Sequence, residues 1–462
     1  MKILLIAYNN DAHISVFPLS LAYIASSCRN AGHKVKIYNQ DVYHWPESHL
    51  TELLDREHFD VVGVGVIGGY YQYRKLLKIS DAVNKSKKRP FFIIGGHGPS
   101  PEPEYFLRKT KADAVVIGEG EITIIELLKA LDQKTDFVNV SGIAFVKDDN
   151  FIQTPKRSLI KDIDTISFPA WDLFPIDHYA LLREANMKNS ERCMMVLSGR
   201  GCTFKCNFCY RMDEGFRPRS SESIIEEVSV LQKDYNISYI NFLDELLMSS
   251  EKRTVELCVN FIKSKLKFKW FCNGRLNYAK PDVLKLMKEA GCVFINYGIE
   301  SLDEKVLRVM NKALTVKQIT EGIENTLACG ISPGFNIIFG NIGETIESLK
   351  LGVDFLLKYD DQAQMRTIRP VTPYPGSPLY YYAIKKGLLK NCADFYENKH
   401  INSDLLSVNF TDLTDDQFHE ALMEANMRLL DNYFEKQKES YINQTKKLYL
   451  DKDASFRGYR HT

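Results

Sequence analysis

Residues 198–210 read Ser-Gly-Arg-Gly-Cys-Thr-Phe-Lys-Cys-Asn-Phe-Cys-Tyr and place Cys202, Cys206 and Cys209 in one short loop. Thiolates are the ligands that iron–sulfur clusters prefer, and a full protein set is four. Because this loop offers three, one iron of a cubane cluster would stay open to a ligand that is not protein. Such an iron can chelate the amine and carboxylate of a small molecule and deliver an electron to it.

Two other interpretations of these cysteines stay open, a zinc site and three structural cysteines. Structural zinc sites usually add a second pair of ligands, and no second pair follows downstream. Ten cysteines in 462 residues are too few for a disulfide scaffold. The remaining seven stand singly and could supply a fourth zinc ligand: Cys28, Cys193, Cys258, Cys272, Cys292, Cys329 and Cys392.

Composition places the chain among ordinary globular proteins of two to three domains, with 45% hydrophobic and 26% charged residues. Sixty Lys+Arg against 59 Asp+Glu leave a net charge of +1, which gives no case for a nucleic-acid partner. No apolar run approaches the ~18 residues of a transmembrane segment. The opening strand-like run, residues 1–7, meets Asn9 and Asn10 too early for a signal peptide. We therefore expect a cytoplasmic protein.

Residues 1–140 alternate strand-like and helix-like stretches, which predicts βαβ units in a doubly wound, Rossmann-like parallel sheet. The strand-like runs are residues 3–7, 34–38, 61–66, 91–94 and 114–117. Small residues just past strand ends let a ligand approach the backbone, and they do not match the dinucleotide spacing. They are Gly65, Gly95-Gly96-His97-Gly98 and Gly118-Glu119-Gly120. Tight strand-to-helix turns alone would also explain these glycines.

Residues 141–192, with Pro155, Pro169 and Pro175, are expected to form an irregular linker. From 193 to 378 six strand-like runs alternate with helical stretches, which predicts an open, partial (β/α)6 TIM-like barrel. The runs are residues 193–197, 237–243, 269–272, 293–297, 335–339 and 365–368. Residues 379–462 are predicted mainly helical, with a long helix over 415–448 and a loose polar end at 451–462.

Polar residues gather where the barrel strands end. Asp244-Glu245, Asn273 with Arg275, and Glu300-Ser301 each follow a predicted strand, at the same end as the cysteine loop. In barrels the reactive groups collect at the carboxyl ends of strands. This convergence favours the cluster interpretation of the three cysteines.

At this point the chain resembles the radical S-adenosylmethionine (SAM) superfamily, specifically its cobalamin-binding branch, over about residues 1–380. The cysteine loop is similar to the superfamily's signature. Further stretches that resemble the family are residues 242–245 (Phe-Leu-Asp-Glu), 296–301 (Asn-Tyr-Gly-Ile-Glu-Ser), 334–340, and 372–378 (Thr-Pro-Tyr-Pro-Gly-Ser-Pro). In front, residues 18–25, 95–99 and 118–121 look like that branch's cobalamin-binding domain.

The resemblance implies a role for each matching residue. Cys202, Cys206 and Cys209 would hold a [4Fe–4S] cluster whose open iron chelates SAM, with Tyr210 beside cluster and adenine. Asp244 and Glu245 would bind the SAM amino group. The ribose and carboxylate would contact Asn273, Arg275 and Glu300, and residues 334–340 would line the adenine. Ser301 would belong to the same cofactor site. The cobalamin site would comprise Gly65, Gly95, Gly96, His97, Gly118, Glu119 and Gly120.

Two residues keep two interpretations. His13 follows the first strand, where some cobalamin proteins carry Asp-x-His-x-x-Gly with a cobalt-ligating histidine, but position 16 is Val. A polar loop residue near the corrin is therefore the favoured role. Cys272 would lie beside SAM, and a small buried apolar side chain is favoured over a catalytic one.

The resemblance implies that the reduced cluster cleaves SAM to a 5′-deoxyadenosyl radical, which abstracts hydrogen from an unactivated substrate carbon. Methylcobalamin would then methylate that carbon, so we expect a C-methyltransferase. A cobalamin-dependent cyclase, oxidase or rearrangement enzyme stays open, as does a non-catalytic zinc protein. Expected partners are a small-molecule, lipid or peptide substrate and an electron donor such as flavodoxin or ferredoxin.

Overall fold

The structure is a computed structural model that describes residues 1–453 and residue 455. Residues 454 and 456–462, part of the end expected to be loose, lie outside the described residues.

The front of the molecule is built on a seven-stranded sheet. Its strands are β1 (Lys2–Ala7), β2 (Lys34–Asn39), β3 (Val61–Gly65), β4 (Phe91–Gly95), β5 (Ala114–Val116), β6 (Ile143–Lys147) and β7 (Asn150–Gln153). The order is β2-β1-β3-β4-β5-β6-β7, and the first five strands are parallel. The chain changes direction across the sheet between β1 and β3, which is where open α/β sheets bind ligands. The predicted doubly wound fold is confirmed.

Helices cover both faces of this sheet. They are α1 (Leu19–Asn30), α2 (Gln40–Tyr43), α3 (Glu47–Arg56), α4 (Tyr70–Lys85), α5 (Pro103–Thr110) and α6 (Glu121–Asp132). Burial of Ile3, Leu5 and Ala7 on one side of β1, and of Leu4 and Ile6 on the other, shows that the sheet is buried on both faces.

The prediction of an irregular linker over 141–192 is wrong for residues 143–153. There β6 and β7 form an antiparallel hairpin that extends the first sheet, with Val115 paired to Ala144. The turn residues Asp148 and Asp149 both have positive φ (48° and 63°), which is the backbone that two-residue hairpin turns require. Beyond the hairpin the segment contains the short helix α7 (Ile176–Tyr179).

The second sheet has six parallel strands in the order β15-β14-β13-β12-β11-β8. They are β8 (Cys193–Val196), β11 (Tyr239–Phe242), β12 (Lys269–Gly274), β13 (Cys292–Glu300), β14 (Ser332–Phe339) and β15 (Arg369–Pro370). Along the chain, β8 is followed by a separate antiparallel pair of strands, β9 (Gly199–Cys202) and β10 (Gly215–Pro218), before β11 begins. The predicted partial barrel is confirmed.

The sixth strand is not at residues 365–368 as expected but at Arg369–Pro370. The backbone of Ile368 is bonded on both sides to the Asn426 side chain, N to Oδ1 at 2.8 Å and Nδ2 to O at 3.0 Å. Arg366 is drawn into ion pairs with Asp360 and Asp361. These tertiary contacts replace strand pairing at the expected position.

Helices pack on the outside of the partial barrel and continue to the end of the described chain. They are α8 (Ser221–Tyr235), α9 (Glu251–Ser264), α10 (Pro281–Glu289), α11 (Glu304–Val309), α12 (Val316–Ala328), α13 (Ile346–Lys358), α14 (Pro378–Lys385), α15 (Cys392–Asp394), a π-helical turn (Phe395–Lys399) and α16 (Asp415–Leu450). Thr315 and Gln318 form the predicted capping box of α12. The mainly helical C-terminal region is confirmed.

Among residues 1–453 and 455, none of these helices is long and apolar enough to cross a membrane.

Candidate active site

The three cysteines lie on the β9–β10 hairpin, which leaves the barrel directly after β8. Cys202 ends β9 opposite Gly215, and Cys206 and Cys209 follow in the connecting loop. Gly201 has φ +85°, and a Cβ there would lie 2.3 Å from the Gly215 carbonyl oxygen. Only glycine fits this close approach, so Gly201 determines the path of the backbone that leads into the cysteine loop.

The thiols differ in exposure and charge. Cys206 is buried, Cys202 is half-buried and Cys209 is exposed. A hydrogen bond from Cys209, with help from the charges of Lys312 and Arg275, lowers the pKa of Cys206. A thiolate is the form that ligates iron. Within the described chain no three His, Cys, Asp or Glu side chains form a group that could hold a metal ion.

The loop is held by neighbours that the sequence analysis did not identify. The Asn207 backbone N donates to the Met310 carbonyl at 2.9 Å, and its amide exchanges two hydrogen bonds with the amide of Asn341 (3.0 and 2.9 Å). Asn311 Nδ2 donates to the Lys205 carbonyl at 2.8 Å. The stretch after α11 therefore fixes the cysteine loop against the barrel.

A buried ion pair lies beside the loop. Lys312 Nζ is 2.8 Å from Glu300 Oε1, and their side chains are 8% and 9% exposed. Glu300 has φ +67° at a register shift between β13 and β14, and Gly298 leaves room for the pair, since a Cβ there would lie 2.5 Å from Glu300 Oε1. Strained backbone at a buried charged residue is a frequent property of functional sites.

Arg275 is held close to the cysteines. Its guanidinium carbon lies 3.3 Å from the centroid of the Phe204 ring, and Nη2 donates to the carbonyls of Lys312 and Ala313. Its Nε is buried and has no hydrogen-bond partner in the described chain.

Asp244 and Glu245, predicted as a pair, lie in different surroundings. Asp244 is 2% exposed and accepts from the backbone N of Ser198 at 2.6 Å and from its hydroxyl. Burial raises the pKa of Asp244 to about 6. Glu245 is exposed at the cleft, where desolvation and then Asp213 raise its pKa. Asp244 therefore braces the start of the hairpin, while Glu245 is open to a ligand.

The other predicted SAM contacts form a polar layer at the strand ends. Asn273 Nδ2 donates to the Asp244 carbonyl at 2.7 Å, and its Oδ1 accepts from Asn296 at 3.1 Å. Ser301 is 2% exposed and hydrogen-bonds to Glu344. Burial raises the pKa of Glu344 to about 8, against hydrogen bonds from the backbone N of Asn341 and Gly340.

The glycines predicted for cobalamin lie along the carboxyl edge of the front sheet. A Cβ added at Gly65 or Gly118 would meet no atom within 4 Å, so both offer open backbone. Gly95 and Gly96 instead pack closely on Val116 and Val66, and Gly120 packs on Ile24. The edge therefore combines open positions with tight turns.

Tyr210 and His97 bring the two halves of the site together. The His97 ring is exposed and stands edge-on to the Tyr210 ring with centroids 6.0 Å apart. Gly376 covers Tyr210, since a Cβ there would lie 2.4 Å from its ring. Tyr210, at the end of the cysteine loop, therefore lies against both the edge of the front sheet and residues 372–378.

Glu119 joins the two domains. It accepts hydrogen bonds from Arg200 at 2.8 Å and from Arg217 at 2.9 Å, both on the cysteine hairpin, and from the Ile160 backbone N. Burial opposes its ionisation, but these donors lower its pKa overall. We call Glu119, Glu121, Arg200 and Arg217 the clasp; Glu121 adds a second carboxylate to Arg200.

His13 and Cys272 are placed apart from these contacts. His13 is exposed in the loop after β1, with its ring 6.5 Å from that of His178. Cys272 is fully buried, and burial with a hydrogen bond to Cys292 raises its pKa well above the usual value. The favoured role of His13 as a polar loop residue near the corrin stays a prediction, and so does the favoured non-catalytic role of Cys272.

Two family models match separate parts of the chain. The B12 binding domain model covers residues 2–128, and the radical SAM superfamily model covers residues 196–356, including the cysteine hairpin. Together they define a class of enzymes in which a cobalamin-binding sheet precedes a radical SAM barrel.

Relatives extend these matches along the chain. It is 31% identical over 400 residues to the uncharacterized methyltransferase PH0819 of Pyrococcus horikoshii, covering 84% of each chain. This chain belongs to the cobalamin-binding branch of the radical SAM superfamily. It is also 27% identical to the anaerobic magnesium-protoporphyrin IX monomethyl ester cyclase of Rubrivivax gelatinosus, over 79% of this chain and 65% of that protein.

The fold has a counterpart among solved structures. The radical SAM methyltransferase TsrM from Kitasatospora setae matches with a TM-score of 0.73 at 16% identity, over 93% of this chain and 88% of that one. At this identity the likeness concerns the fold, from the front sheet to the barrel.

Proposed function

We propose that this protein is a C-methyltransferase that uses a SAM-derived radical and methylcobalamin to methylate an unactivated carbon. The observation that carries the proposal is the contact between the three-cysteine hairpin and the glycine-rich edge of the front sheet, made through Tyr210–His97 and the clasp. A radical formed at the first and a methyl group held at the second would then lie on the same cleft.

The residues present fit the groups that this chemistry needs. When bound, the cluster supplies the electron that cleaves SAM, and cobalamin supplies the methyl group. Cys202, Cys206 and Cys209 would hold the cluster. Arg275, whose guanidinium lies against Phe204 of the cysteine loop, would donate to the SAM carboxylate, and exposed Glu245 would accept from its ammonium.

The rest of the site positions and shields these groups. Asp244 holds Ser198, and Asn207 ties the loop to Asn341, so the cysteines keep their spacing. Phe204 covers one face of the Arg275 guanidinium. We further propose a small-molecule, lipid or peptide substrate, a reduced flavodoxin or ferredoxin as electron donor, and a cytoplasmic location.

A second candidate is a cyclase or related oxidation without methyl transfer. The similarity to the Rubrivivax gelatinosus cyclase favours it as the alternative. Both candidates share the cluster and cobalamin, so they differ only in the fate of the substrate.

The test is a reaction with SAM carrying a trideuterated methyl group, offered tetrapyrrole, lipid and peptide acceptors under anaerobic reducing conditions. We expect 5′-deoxyadenosine and a product that gains a CD3 group on carbon. A product that loses hydrogen and gains no deuterium would contradict methyl transfer and favour the cyclase activity instead. The Cys206→Ala variant should release no 5′-deoxyadenosine, whereas Cys329→Ala, outside the site, should match the wild type.

A further inference from the structure

The cysteine loop packs against the end of α11. Asn311 Nδ2 donates to the Lys205 carbonyl at 2.8 Å. The Asn207 backbone N donates to the Met310 carbonyl at 2.9 Å. The residues on either side of Cys206 are therefore fixed to the chain that follows α11, so the loop and this helix share one surface.

This shared surface is basic. Lys205, Lys305 and Arg308 are exposed, and none of the three forms an ion pair in the described chain. The two carboxylates at the start of α11 accept from backbone groups instead. Asp303 accepts from the backbone N of Lys305 at 2.6 Å, and Glu304 accepts from the first backbone N of α12 at 2.8 Å. The three cations therefore keep their charge available to a partner.

The surface also has an apolar part. The Val309 side chain is 45% exposed, and the Val309 carbonyl accepts from Asn207 Nδ2 at 3.3 Å. Apolar area within a charged rim is typical of contacts between proteins. The composition of this surface therefore favours a docked protein over a free ion.

The sequence around the surface has a local excess of basic residues. Residues 305–320 and 378–391 together hold seven lysines or arginines and no aspartate or glutamate, in a chain whose net charge is +1. One of the seven, Lys312, is buried in its ion pair with Glu300. The second stretch is also bonded to the cysteine loop, because the Leu379 backbone N donates to the Asn207 carbonyl at 2.8 Å. Such a field attracts an acidic partner and steers its approach.

The surface is separate from the contacts that join the hairpin to the front sheet. Those contacts run through Tyr210 and the clasp, whereas Lys205 meets the turn after α11. Cys206 directly follows Lys205 and is 6% exposed. A protein on this surface would reach the cluster site through the loop and leave the cleft to SAM, cobalamin and substrate.

We propose that Lys205, Lys305, Arg308 and Val309, which we call the donor patch, dock an acidic one-electron carrier protein. The inference rests on the proposed function, which needs an electron at the cluster before SAM is cleaved. The reduced carrier loses one electron and the oxidised cluster gains it, so no bond forms or breaks and no group is transferred. A flavodoxin or ferredoxin with carboxylates around its redox centre has the complementary charge.

The first test measures the Kd between the reconstituted full-length protein and an oxidised flavodoxin of negative net charge, by titration calorimetry. The double variant Lys305→Glu, Arg308→Glu should raise this Kd about 10-fold or more, because two attractions become repulsions. The wild-type Kd should rise between about 50 and about 300 mM salt, and that of the double variant should change less. The matched control reverses two exposed lysines of α4 and α10, Lys78→Glu and Lys285→Glu, and should bind as the wild type does.

The second test separates docking from chemistry. Release of 5′-deoxyadenosine driven by dithionite needs no docked protein, so it should be equal in the wild type and the double variant, and so should the iron content. Release driven by subsaturating reduced flavodoxin should fall in the double variant and stay unchanged in the control.

Equal flavodoxin affinities of wild type and double variant would overturn the donor patch, as would a wild type that binds neither flavodoxin nor ferredoxin. Loss of dithionite-driven release in the double variant would mean that these residues act on the cluster itself, and would also overturn it. A changed KM for the methyl acceptor with unchanged flavodoxin affinity would assign the surface to the substrate and overturn the carrier. If the wild type releases no 5′-deoxyadenosine with dithionite, the proposed function fails, which is a distinct result.

Discussion

Glu344 is a buried carboxyl group whose pKa is raised by burial to about 8. Between pH 4.5 and 8 the folded chain therefore retains a proton that the unfolded chain releases, so this group makes the free energy of unfolding fall as pH rises. The slope is about 1.4 kcal/mol per pH unit over that window.

We predict that Glu344→Gln removes this slope, because glutamine keeps an acceptor for Gly340 and Asn341 and does not titrate. Urea unfolding of the cluster-free chain at pH 5, 6, 7 and 8 measures the difference between wild type and variant. With each rise in pH, the free energy of unfolding of the variant should increase relative to that of the wild type. Parallel pH curves for the two proteins would mean that Glu344 ionises normally.

Residues of this kind mark what a single sequence cannot predict. Cys202, Cys206 and Cys209 could be identified because their spacing is local. Lys312 and Glu344 reach the site only through tertiary contacts, and nothing next to them in the chain indicates it. The hydrogen bond that holds Asp244 was missed for the same reason, because its partner Ser198 follows β8 whereas Asp244 follows β11.

At the scale of elements, hydrophobic runs bounded by glycine predicted the parallel strands well. The β6–β7 hairpin was missed because proline content dominated the prediction for 141–192. Its turn, Asp148-Asp149 between two apolar runs, was the available signal. The last strand was misplaced because Asn426, from a helix 58 residues away, occupies the backbone of Ile368.

Helix α16 stabilises the barrel edge through its first turns. The Phe418 ring is fully buried, stacks on Phe339 at 4.7 Å and lies against Gly340. We predict that Phe418→Ala lowers the free energy of unfolding by about 3–5 kcal/mol, as for other large core truncations. Phe434→Ala in the same helix removes a side chain that is 59% exposed and should change it by less than about 0.5 kcal/mol. Equal losses in urea unfolding would contradict this packing.

At the scale of the whole molecule, the clasp holds the front sheet against the cysteine hairpin. Glu119 is 7% exposed, and its arginine partners are 16% and 14% exposed. We predict that Glu119→Ala costs about 3 kcal/mol of unfolding free energy, since it leaves buried charges with one partner fewer.

The exposed pair Glu104–Arg108 supplies the control for the clasp. Glu104→Ala should cost about 0.5 kcal/mol or less in the same urea experiment. A Glu119→Ala variant as stable as the Glu104→Ala variant would mean that the clasp does not hold the domains together.

In the proposed function, one chain holds an iron–sulfur cluster and cobalamin on the same cleft. The most direct measurement is anaerobic reconstitution with iron, sulfide and hydroxocobalamin, followed by desalting and quantification of iron, sulfide, cobalt and zinc per chain. We expect about four irons and one cobalt per chain, with iron lost and cobalt kept in Cys206→Ala. Iron without cobalt would contradict the assignment of the front sheet to cobalamin binding. Zinc in place of iron would contradict the proposed enzymatic activity altogether.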